Sequence, residues 1–304
     1  MTTTTDARTR EASFPWVTAA AFVVVWSSGY IAGPAGVEAI GPMRLLTIRF
    51  VLAAAVIGTL ALWRHGPPRM TRAVVVRVCL VGLGMNALQF GLMYVAFERG
   101  MGATLGSLLH SLSPVLTVVL AGVLLREQVR GLQVVGLAVG VVGVVLVLGP
   151  DVTEAGGAVG VTLGLLSMLA LSLGTMGQRW IPPGTDPWWS ASLQLGVSIP
   201  PVAVLALLTE GIAPVADPGA AALSLVYLAV VNSVLGLLLL GALVRRGGAG
   251  SSSSVFFLMP PVTAVMAFLV LGEQLDLREV VGIAVAITGV AVGTVRLRPR
   301  AAPS

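Results

Sequence analysis

The chain has 304 residues, of which 56% are apolar and 10% are charged, with a net charge of +5 and a mean hydropathy of +0.96. A water-soluble protein of this size could not cover its surface with so few charges, so the composition predicts a membrane protein. A bilayer-spanning helix needs about 20 apolar residues, and the chain has room for about ten of them.

Three scarce residue types exclude whole classes of site. All 18 basic residues are arginine, so the chain has neither a P-loop lysine nor a Schiff-base lysine. Cys79 is the only cysteine, and His65 and His110 are the only histidines, which excludes an internal disulfide, a cysteine zinc site and a histidine-rich metal cluster. The arginines are scattered along the chain, so we expect no nucleic-acid partner, and we expect no cofactor.

Apolar runs alternate with short polar breaks along the chain, after a polar segment at residues 1–13 that we expect to be a disordered cytoplasmic tail. The runs are residues 14–35, 43–63, 73–97, 101–125, 130–149, 157–179, 188–208, 219–244, 249–271 and 278–296. Glycine and proline mark several breaks, as at Gly66-Pro67-Pro68 and Pro182-Pro183-Gly184. The pattern predicts an all-α integral membrane protein with ten transmembrane helices, followed by a short tail at residues 297–304.

The arginines are unevenly distributed between alternate breaks. One side of the predicted membrane receives most of them, and the other receives Arg44, Arg99 and Arg278 together with most of the acidic residues. Positively charged short loops stay in the cytoplasm. We therefore predict that both termini are cytoplasmic and that the protein lies in the cytoplasmic (inner) membrane of the cell as a multi-pass protein.

The second half of the chain repeats the first. A shift of 146 residues aligns residues 102–144 with 248–290 without a gap. The identical pairs include Pro114 with Pro260, Glu127-Gln128 with Glu273-Gln274, Gly136 with Gly282, and further back Asn86 with Asn232. We divide the chain into a first five-helix repeat at 14–149 and a second at 150–296. Because five is odd, the second repeat must be inverted relative to the first, as in many secondary transporters.

These motifs resemble the EamA-type family of the drug/metabolite transporter superfamily. The resemblance rests on SLSPVLTVVLAG, a Glu-Gln break and a glycine-spaced fifth helix, and on a second copy, MPPVTAVMAFLVLGEQ. It implies a ten-helix carrier for small organic molecules. The chain departs from the family at Arg126, where glycine is usual and where the second copy has Gly272. Smaller members of the superfamily use a buried glutamate in the first helix for proton exchange. This chain has no acidic residue between Phe14 and Ala35, so that coupling mechanism cannot be assumed for it.

Pro114 and Pro260 lie about halfway along the fourth and ninth predicted helices. A proline there removes a backbone hydrogen bond and frees a carbonyl that needs another partner in lipid. We assign both as helix-kink and gating residues beside a polar cavity. A packing kink that does not contact a solute is the alternative.

Polar and aromatic side chains at membrane depth are the candidates for solute binding. Equivalent Asn86 and Asn232 need hydrogen-bond partners, either in a cavity or across helices. His110 is the only histidine at this depth, and it is a candidate for binding substrate or a proton, with a neutral structural histidine as the alternative. Tyr94 is a weaker candidate. The substrate-binding candidates are Trp26, Ser27, Tyr30, Asn86, Gln89, His110, Ser111, Gln178, Asn232, Ser253 and Phe256.

Arg49 is a candidate charge site, one to two turns inside the second predicted helix. An arginine at that depth must pair, face water or extend towards the interface. Two interpretations fit: Arg49 attracts the carboxylate of a substrate, or it pairs with Glu98 near the same outer face.

Together these features favour a secondary transporter that moves small organic solutes, such as amino acids, metabolites or drugs, in the direction of export by alternating access. A channel, which would favour a continuous polar stripe, or a non-transporting receptor is the alternative. A membrane-embedded enzyme would need convergent acids, a metal cluster or a nucleophile–base pair, so we expect no enzyme activity. The expected partners are the lipid bilayer, a small-molecule substrate and a coupling proton or ion, with the protein as a monomer or homodimer.

Overall fold

The computed structural model describes residues 15–149, 152–211, 215, 217–236, 238–240, 242–243 and 255–294. Within these residues the chain is helical and contains no strand. The two predicted tails, the repeat boundary at residue 150 and the candidate Ser253 lie outside the described residues.

Nine helices in the described part are long and apolar enough to cross a bilayer, and a tenth is shorter. We number them helix 1 (Trp16–Ile40), 2 (Pro42–His65), 3 (Arg72–Glu98), 4 (Ala103–Leu125), 5 (Gly131–Leu148), 6 (Gly157–Trp180), 7 (Pro187–Thr209), 8 (Pro218–Leu240), 9 (Val255–Leu271, the shorter one) and 10 (Leu277–Thr294). This order confirms the predicted all-α membrane protein. The cytoplasmic location of the termini stays a prediction.

Helix 1 continues beyond the predicted end at residue 35 and ends at Ile40. Pro34 lies inside its second half without ending it. The helix ends where Gly41 adopts φ 90°, a conformation that residues with a β-carbon rarely adopt, and Pro42 then starts helix 2.

Helices 5 and 10 pack face to face through glycines and run antiparallel. A β-carbon added at Gly143 would lie 2.4 Å from the backbone nitrogen of Ala286, and one added at Gly289 would lie 2.3 Å from the nitrogen of Gly140. The equivalent of Gly140 in the second repeat is Ala286, and the equivalent of Gly289 in the first repeat is Gly143. Gly143 and Ala286 are in contact, as Gly140 and Gly289 are. The two helices are therefore related by a two-fold exchange of the repeats, and close packing of small residues holds them together in lipid.

Helices 2 and 7 are also antiparallel. At one end the Glu210 carboxylate accepts hydrogen bonds from the backbone nitrogens of Met43 at 2.6 Å and Arg44 at 3.0 Å. At the other end Asp186 caps helix 7 and contacts the imidazole of His65. Although partial burial of its carboxyl favours the neutral form, the hydrogen bonds from the Trp189 and Trp188 backbone and from His65 keep the pKa of Asp186 below its usual value.

Helices 4 and 9 form a third pair of equivalent helices in contact. The carboxylate of Glu273, just beyond the end of helix 9, accepts hydrogen bonds from the backbone nitrogen of Ala103 at 2.7 Å and the hydroxyl of Thr104 at 2.7 Å at the start of helix 4. The start of one helix thus lies at the end of its equivalent, as in the pairs 2/7 and 5/10. Three antiparallel pairs of equivalent helices are the geometry of two inverted five-helix repeats.

Several helices are irregular near their middle, and the irregularities recur in both repeats. Helix 4 is interrupted at Leu112, and helix 9 changes from a 3₁₀ turn to an α-helix after Leu258, the equivalent position. Pro114 and Pro260 lie in the first turn of the following α-helical halves, where the missing N–H costs no helical bond. Helices 3 and 8 contain π-helical segments at Leu83–Leu88 and Tyr227–Leu235, around Asn86 and Asn232. Such segments are frequent at functional sites.

Candidate functional site

His110 is buried in a polar cluster formed by helices 1, 3, 4 and 6. Its Nδ1 atom lies 2.8 Å from the Tyr30 hydroxyl, and its Nε2 atom lies 3.0 Å from the hydroxyl of Ser167. Ser167 donates its own hydrogen to the backbone oxygen of Gln89 at 2.7 Å, so it accepts from Nε2–H, and the Tyr30 hydroxyl donates to Nδ1. This hydrogen-bond pattern suits a neutral imidazole that is satisfied on both sides.

Arg49 is the centre of a second polar cluster, between helices 2, 3 and 8. Its side chain is 3% exposed, and it donates to the Tyr94 hydroxyl at 2.6 Å and to Oδ1 of Asn232 at 2.9 Å. Its Nε and Nη2 atoms each lie 3.3 Å from the Ser233 hydroxyl. The Phe90 ring covers the guanidinium at 4.7 Å, a distance suited to a cation–π contact.

Asn232 extends this cluster to the interruption in helix 1. Its amide nitrogen donates to the backbone oxygens of Val25 at 3.0 Å and Trp26 at 3.4 Å. Helix 1 is interrupted at Ser28, which leaves carbonyls of the preceding turn without their usual helical partners. Asn232 therefore stabilises a broken helix and binds Arg49 at the same time.

Aromatic rings form a third group, between helices 1 and 9. Phe22, Trp26 and Phe256 pack with ring centroids 5.4 to 6.2 Å apart. Phe256 is the equivalent of His110 in the second repeat, so a polar cluster in one half corresponds to an apolar one in the other. Ser27, the residue after Trp26, donates to the backbone oxygen of Met259 at 3.3 Å.

The remaining candidates are distributed around these clusters. Ser111 donates to the backbone oxygen of Leu108 in its own helix at 2.6 Å. Gln178 bonds the amide oxygen of Gln194 at 3.1 Å, near the end of helix 6. Asn86 is half-buried and makes no side-chain hydrogen bond to another described residue, unlike its equivalent Asn232.

The structure thus brings Tyr30, Gln89 and His110 together in one cluster, and Arg49 and Asn232 in another. The expected pairing of Arg49 with Glu98 does not occur: Glu98 is exposed at the end of helix 3, whereas Arg49 bonds Tyr94 one turn earlier. Sequence reasoning missed three contributors, Ser167, Ser233 and Phe90. Serine and phenylalanine are common in membrane helices, so their presence alone gives no signal.

The polar and aromatic clusters offer recognition by hydrogen bonds, by the guanidinium of Arg49 and by aromatic faces. No group of three or more His, Cys, Asp or Glu residues that could hold a metal ion occurs in the described part of the chain. The polar groups at membrane depth come from both repeats and several helices, which is the arrangement expected around a solute path.

Two equivalent acidic residues, Glu127 and Glu273, lie at opposite ends of the bundle. Glu273 joins helices 9 and 4 at one end, beside a cavity of about 170 Å³ that is also lined by Arg278 and Glu279. Its equivalent Glu127 lies at an exposed position at the opposite end and forms an ion pair with Arg179 at 2.9 Å. The residues equivalent to Ala103 and Thr104 are 249 and 250, which lie outside the described residues.

Comparison with known proteins agrees with this architecture. The pattern of the EamA-like transporter family matches residues 14–149 and again residues 158–294. The chain is 26% identical over 293 residues to a probable amino-acid metabolite efflux pump of Escherichia coli K12, covering 92% of this chain and 94% of that protein. It is 30% identical over 280 residues to a probable terminal-alkyne amino-acid exporter of Streptantibioticus cattleyicolor, covering 88% and 89%.

A solved crystal structure shares the fold. It is 18% identical to this chain, superposes with a TM-score of 0.61, and covers 91% of this chain and 96% of its own. The family pattern occurs twice, over nearly the whole sequence, and coincides with two five-helix units that pack as antiparallel equivalents. The chain therefore belongs to the EamA-like transporter family.

Proposed function

We propose that the protein is a secondary transporter that exports small organic solutes, amino acids or their derivatives among them, across the cytoplasmic membrane. The observation that carries the proposal is the recurrence of mid-membrane irregularities in inverted repeats: interruptions at Leu112 and Leu258 and π-helical segments around Asn86 and Asn232. Irregular backbone at membrane depth is tolerated where it is buried in protein or lines a cavity. The relatives described as an amino-acid metabolite efflux pump and an amino-acid exporter support the solute class and the direction.

The placement of two equivalent acidic residues at opposite ends of the bundle supports alternating access. The cap that Glu273 forms on helix 4 holds the pair 4/9 together at one end. Its equivalent Glu127 lies at the other end of the bundle, where it forms an ion pair with Arg179 and where the inverted repeat would allow the corresponding contact with helix 9. Opening of the contact at the Glu273 end and closure at the Glu127 end would switch access from one side of the membrane to the other, with the clusters of Arg49 and His110 between them.

Counterflow in proteoliposomes tests the proposal. Liposomes with purified protein are loaded with an unlabelled amino acid at high concentration and diluted into the labelled form, across a panel that includes phenylalanine, leucine, threonine and cysteine. A carrier accumulates label transiently, because exchange is obligatory, whereas a channel or receptor does not. Protein-free liposomes are the control. Failure of every solute on a broad panel, with sugars, amines and lipophilic drugs included, would contradict the proposal.

The same vesicles, with and without a pH gradient, test proton coupling. His110 is the only histidine at membrane depth, so we expect any effect of the gradient to be lost in His110→Gln while exchange continues. Thr175→Ala is the control: it removes a hydroxyl from an exposed position of helix 6 and should keep the wild-type response. An unchanged gradient effect in His110→Gln would exclude His110 as the coupling group.

A further inference from the structure

Arg49 carries a positive charge at membrane depth that no acidic side chain in the described part of the chain balances. It lies in helix 2, seven residues after Pro42, about 10 Å along the helix at 1.5 Å per residue. Its side chain is 3% exposed. Among the described residues, the ion pairs are Arg44–Glu210, His65–Asp186, Arg179–Glu127 and Arg278–Asp276, and Arg49 is in none of them.

The groups around Arg49 satisfy its hydrogen bonds but leave its charge uncompensated. The acceptors are the hydroxyls of Tyr94 and Ser233 and the amide oxygen of Asn232, which are all neutral. Phe90 adds a ring face at 4.7 Å. A buried cation without an anion is costly in lipid, and such residues are usually retained for a function.

The edge of the guanidinium that usually binds a carboxylate faces one weak partner. Nε and Nη2 together form the fork that holds both oxygens of a carboxylate. In this structure both atoms donate to a single oxygen, Oγ of Ser233, at 3.3 Å, which is long for a hydrogen bond from a charged donor. The Ser233 hydroxyl itself donates to the backbone oxygen of Leu228 at 2.9 Å, so it keeps a partner when Arg49 leaves it.

The opposite side of the guanidinium is firmly held. Nη1 donates to Tyr94 at 2.6 Å and Nη2 to Asn232 at 2.9 Å, which fixes the plane of the fork. Phe90, Asn232 and Ser233 are half-buried, so the protein does not fully enclose the groups around the charge. The fork is therefore held in a fixed orientation beside groups that are partly exposed.

We propose that Arg49 binds the carboxylate of the transported solute through its Nε–Nη2 edge, with Ser233 as the group that the carboxylate displaces and Phe90 as the face that covers the bound pair. This rests on the proposed transport function and narrows its substrates to solutes that carry a carboxylate. Because Asn232 connects Arg49 to the carbonyls of Val25 and Trp26, the site is also linked to the interruption in helix 1.

The experiment compares acids with their neutral derivatives in counterflow. Wild-type proteoliposomes are tested with labelled phenylalanine and leucine and with phenylalaninamide, leucinamide and phenethylamine, which lack the carboxylate. We expect exchange of the acids and at least about a tenfold lower exchange of the other three, since a charge-assisted pair is lost. Equal exchange of acids and amides would overturn the proposal.

Variants of Arg49 provide the second arm. Arg49→Gln should lower exchange of the acids by about tenfold or more, and Arg49→Lys, which keeps the charge but not the fork, should be intermediate. Arg77→Gln is the matched control, because Arg77 is exposed and donates only to the backbone oxygen of Trp180, and it should stay within about twofold of wild type. Wild-type exchange of acids by Arg49→Gln would overturn the proposal.

Two readouts separate the possible failures. Monodispersity and thermal unfolding in detergent show whether the Arg49 variants fold. If they do not fold, the comparison of acids with amides in the wild-type protein decides whether the proposal stands. Exchange of solutes regardless of a carboxylate would refute the role of Arg49 and leave the transporter function intact. No exchange of any solute by the wild type would refute both.

Discussion

At the scale of single residues, the loop after helix 4 shows how the two repeats have diverged. Arg126 has φ 56° and ψ 30°, and it is the one residue other than glycine with a positive φ in the described part of the chain. Its equivalent Gly272 ends helix 9 in the same conformation, with φ 71° and no atom within 4 Å of an added β-carbon. The left-handed conformation ends the helix in both repeats, and only the second has the residue that adopts it without strain.

This difference predicts opposite effects of two substitutions. Arg126→Gly should stabilise the protein by about 0.5–1 kcal/mol, because it removes the steric cost of a β-carbon in the left-handed region. Gly272→Ala should destabilise it by a similar amount. Thermal unfolding in detergent measures both. Arg126→Ala is the control, because it removes the charge and keeps the β-carbon, so it should not gain stability. An equal gain in stability in Arg126→Ala and Arg126→Gly would contradict the conformational explanation.

Single residues also explain why the polar clusters are stable in lipid. Asn232 satisfies carbonyls at the helix 1 interruption and orients Arg49, so one amide serves two helices. Ser167 accepts from His110 and donates to the backbone of Gln89. Groups of this kind are costly when unpaired in hydrocarbon, so each is placed where another helix supplies a partner.

At the scale of the helices, the pair 5/10 is held by backbone proximity rather than by large side chains. The β-carbon of an alanine at position 143 would lie 2.4 Å from a nitrogen and 2.6 Å from an oxygen of the helix 10 backbone. Both atoms belong to rigid helical backbone, so relief requires the whole helices to separate. The glycine faces therefore set the distance between the repeats along this contact.

We expect Gly143→Ala to destabilise the protein by about 1–3 kcal/mol, because overpacking at this contact exceeds the helical preference for alanine. Gly282→Ala should behave alike, since its β-carbon would lie 2.8 Å from the Gly143 oxygen. Gly196→Ala in helix 7, where nothing lies within 4 Å, is the matched control and should be neutral or slightly stabilising. Apparent melting temperatures in detergent measure all three, and equal values for Gly143→Ala and Gly196→Ala would contradict the packing role.

At the scale of the whole molecule, the inverted arrangement determines which loops share a face. Helices 2 and 7 are equivalents that pack antiparallel, with His65 near Asp186 at one end and Met43 near Glu210 at the other. The loop that follows helix 2 and the loop that follows helix 7 must therefore lie at opposite ends of the bundle. The arginine content of the loop after helix 2 predicts that this loop is cytoplasmic.

Cysteine labelling in cells tests this placement. In a Cys79→Ser background, Thr209→Cys should react with a membrane-impermeant maleimide added outside spheroplasts, and Arg69→Cys should react only after permeabilisation. Both positions are exposed in the structure, and Cys79 is the chain's single cysteine, so background labelling is removed. Labelling of both positions from the same side would be incompatible with inverted repeats. Labelling with the sides reversed would keep the inversion and change only the orientation.

The sequence determined the class of protein, the order of ten helices and the inversion of the repeats. Composition and span length are set by the lipid solvent, and inversion follows from an odd number of helices in a repeat whose prolines and glycines match. Pro114 and Pro260 also marked the interrupted helices, because the loss of a backbone N–H is a local property.

The tertiary structure alone decided which side chains meet. In a water-soluble helix the apolar stripe identifies the buried face, but in lipid both faces are apolar, so periodicity does not show which side of helix 2 or helix 4 faces its neighbours. The sequence therefore offered Glu98 as a partner for Arg49, whereas the rotation of helices 2, 3 and 8 supplies Tyr94, Asn232 and Ser233. For the same reason, Ser167 beside His110 became visible only when helix 6 was placed against helices 3 and 4.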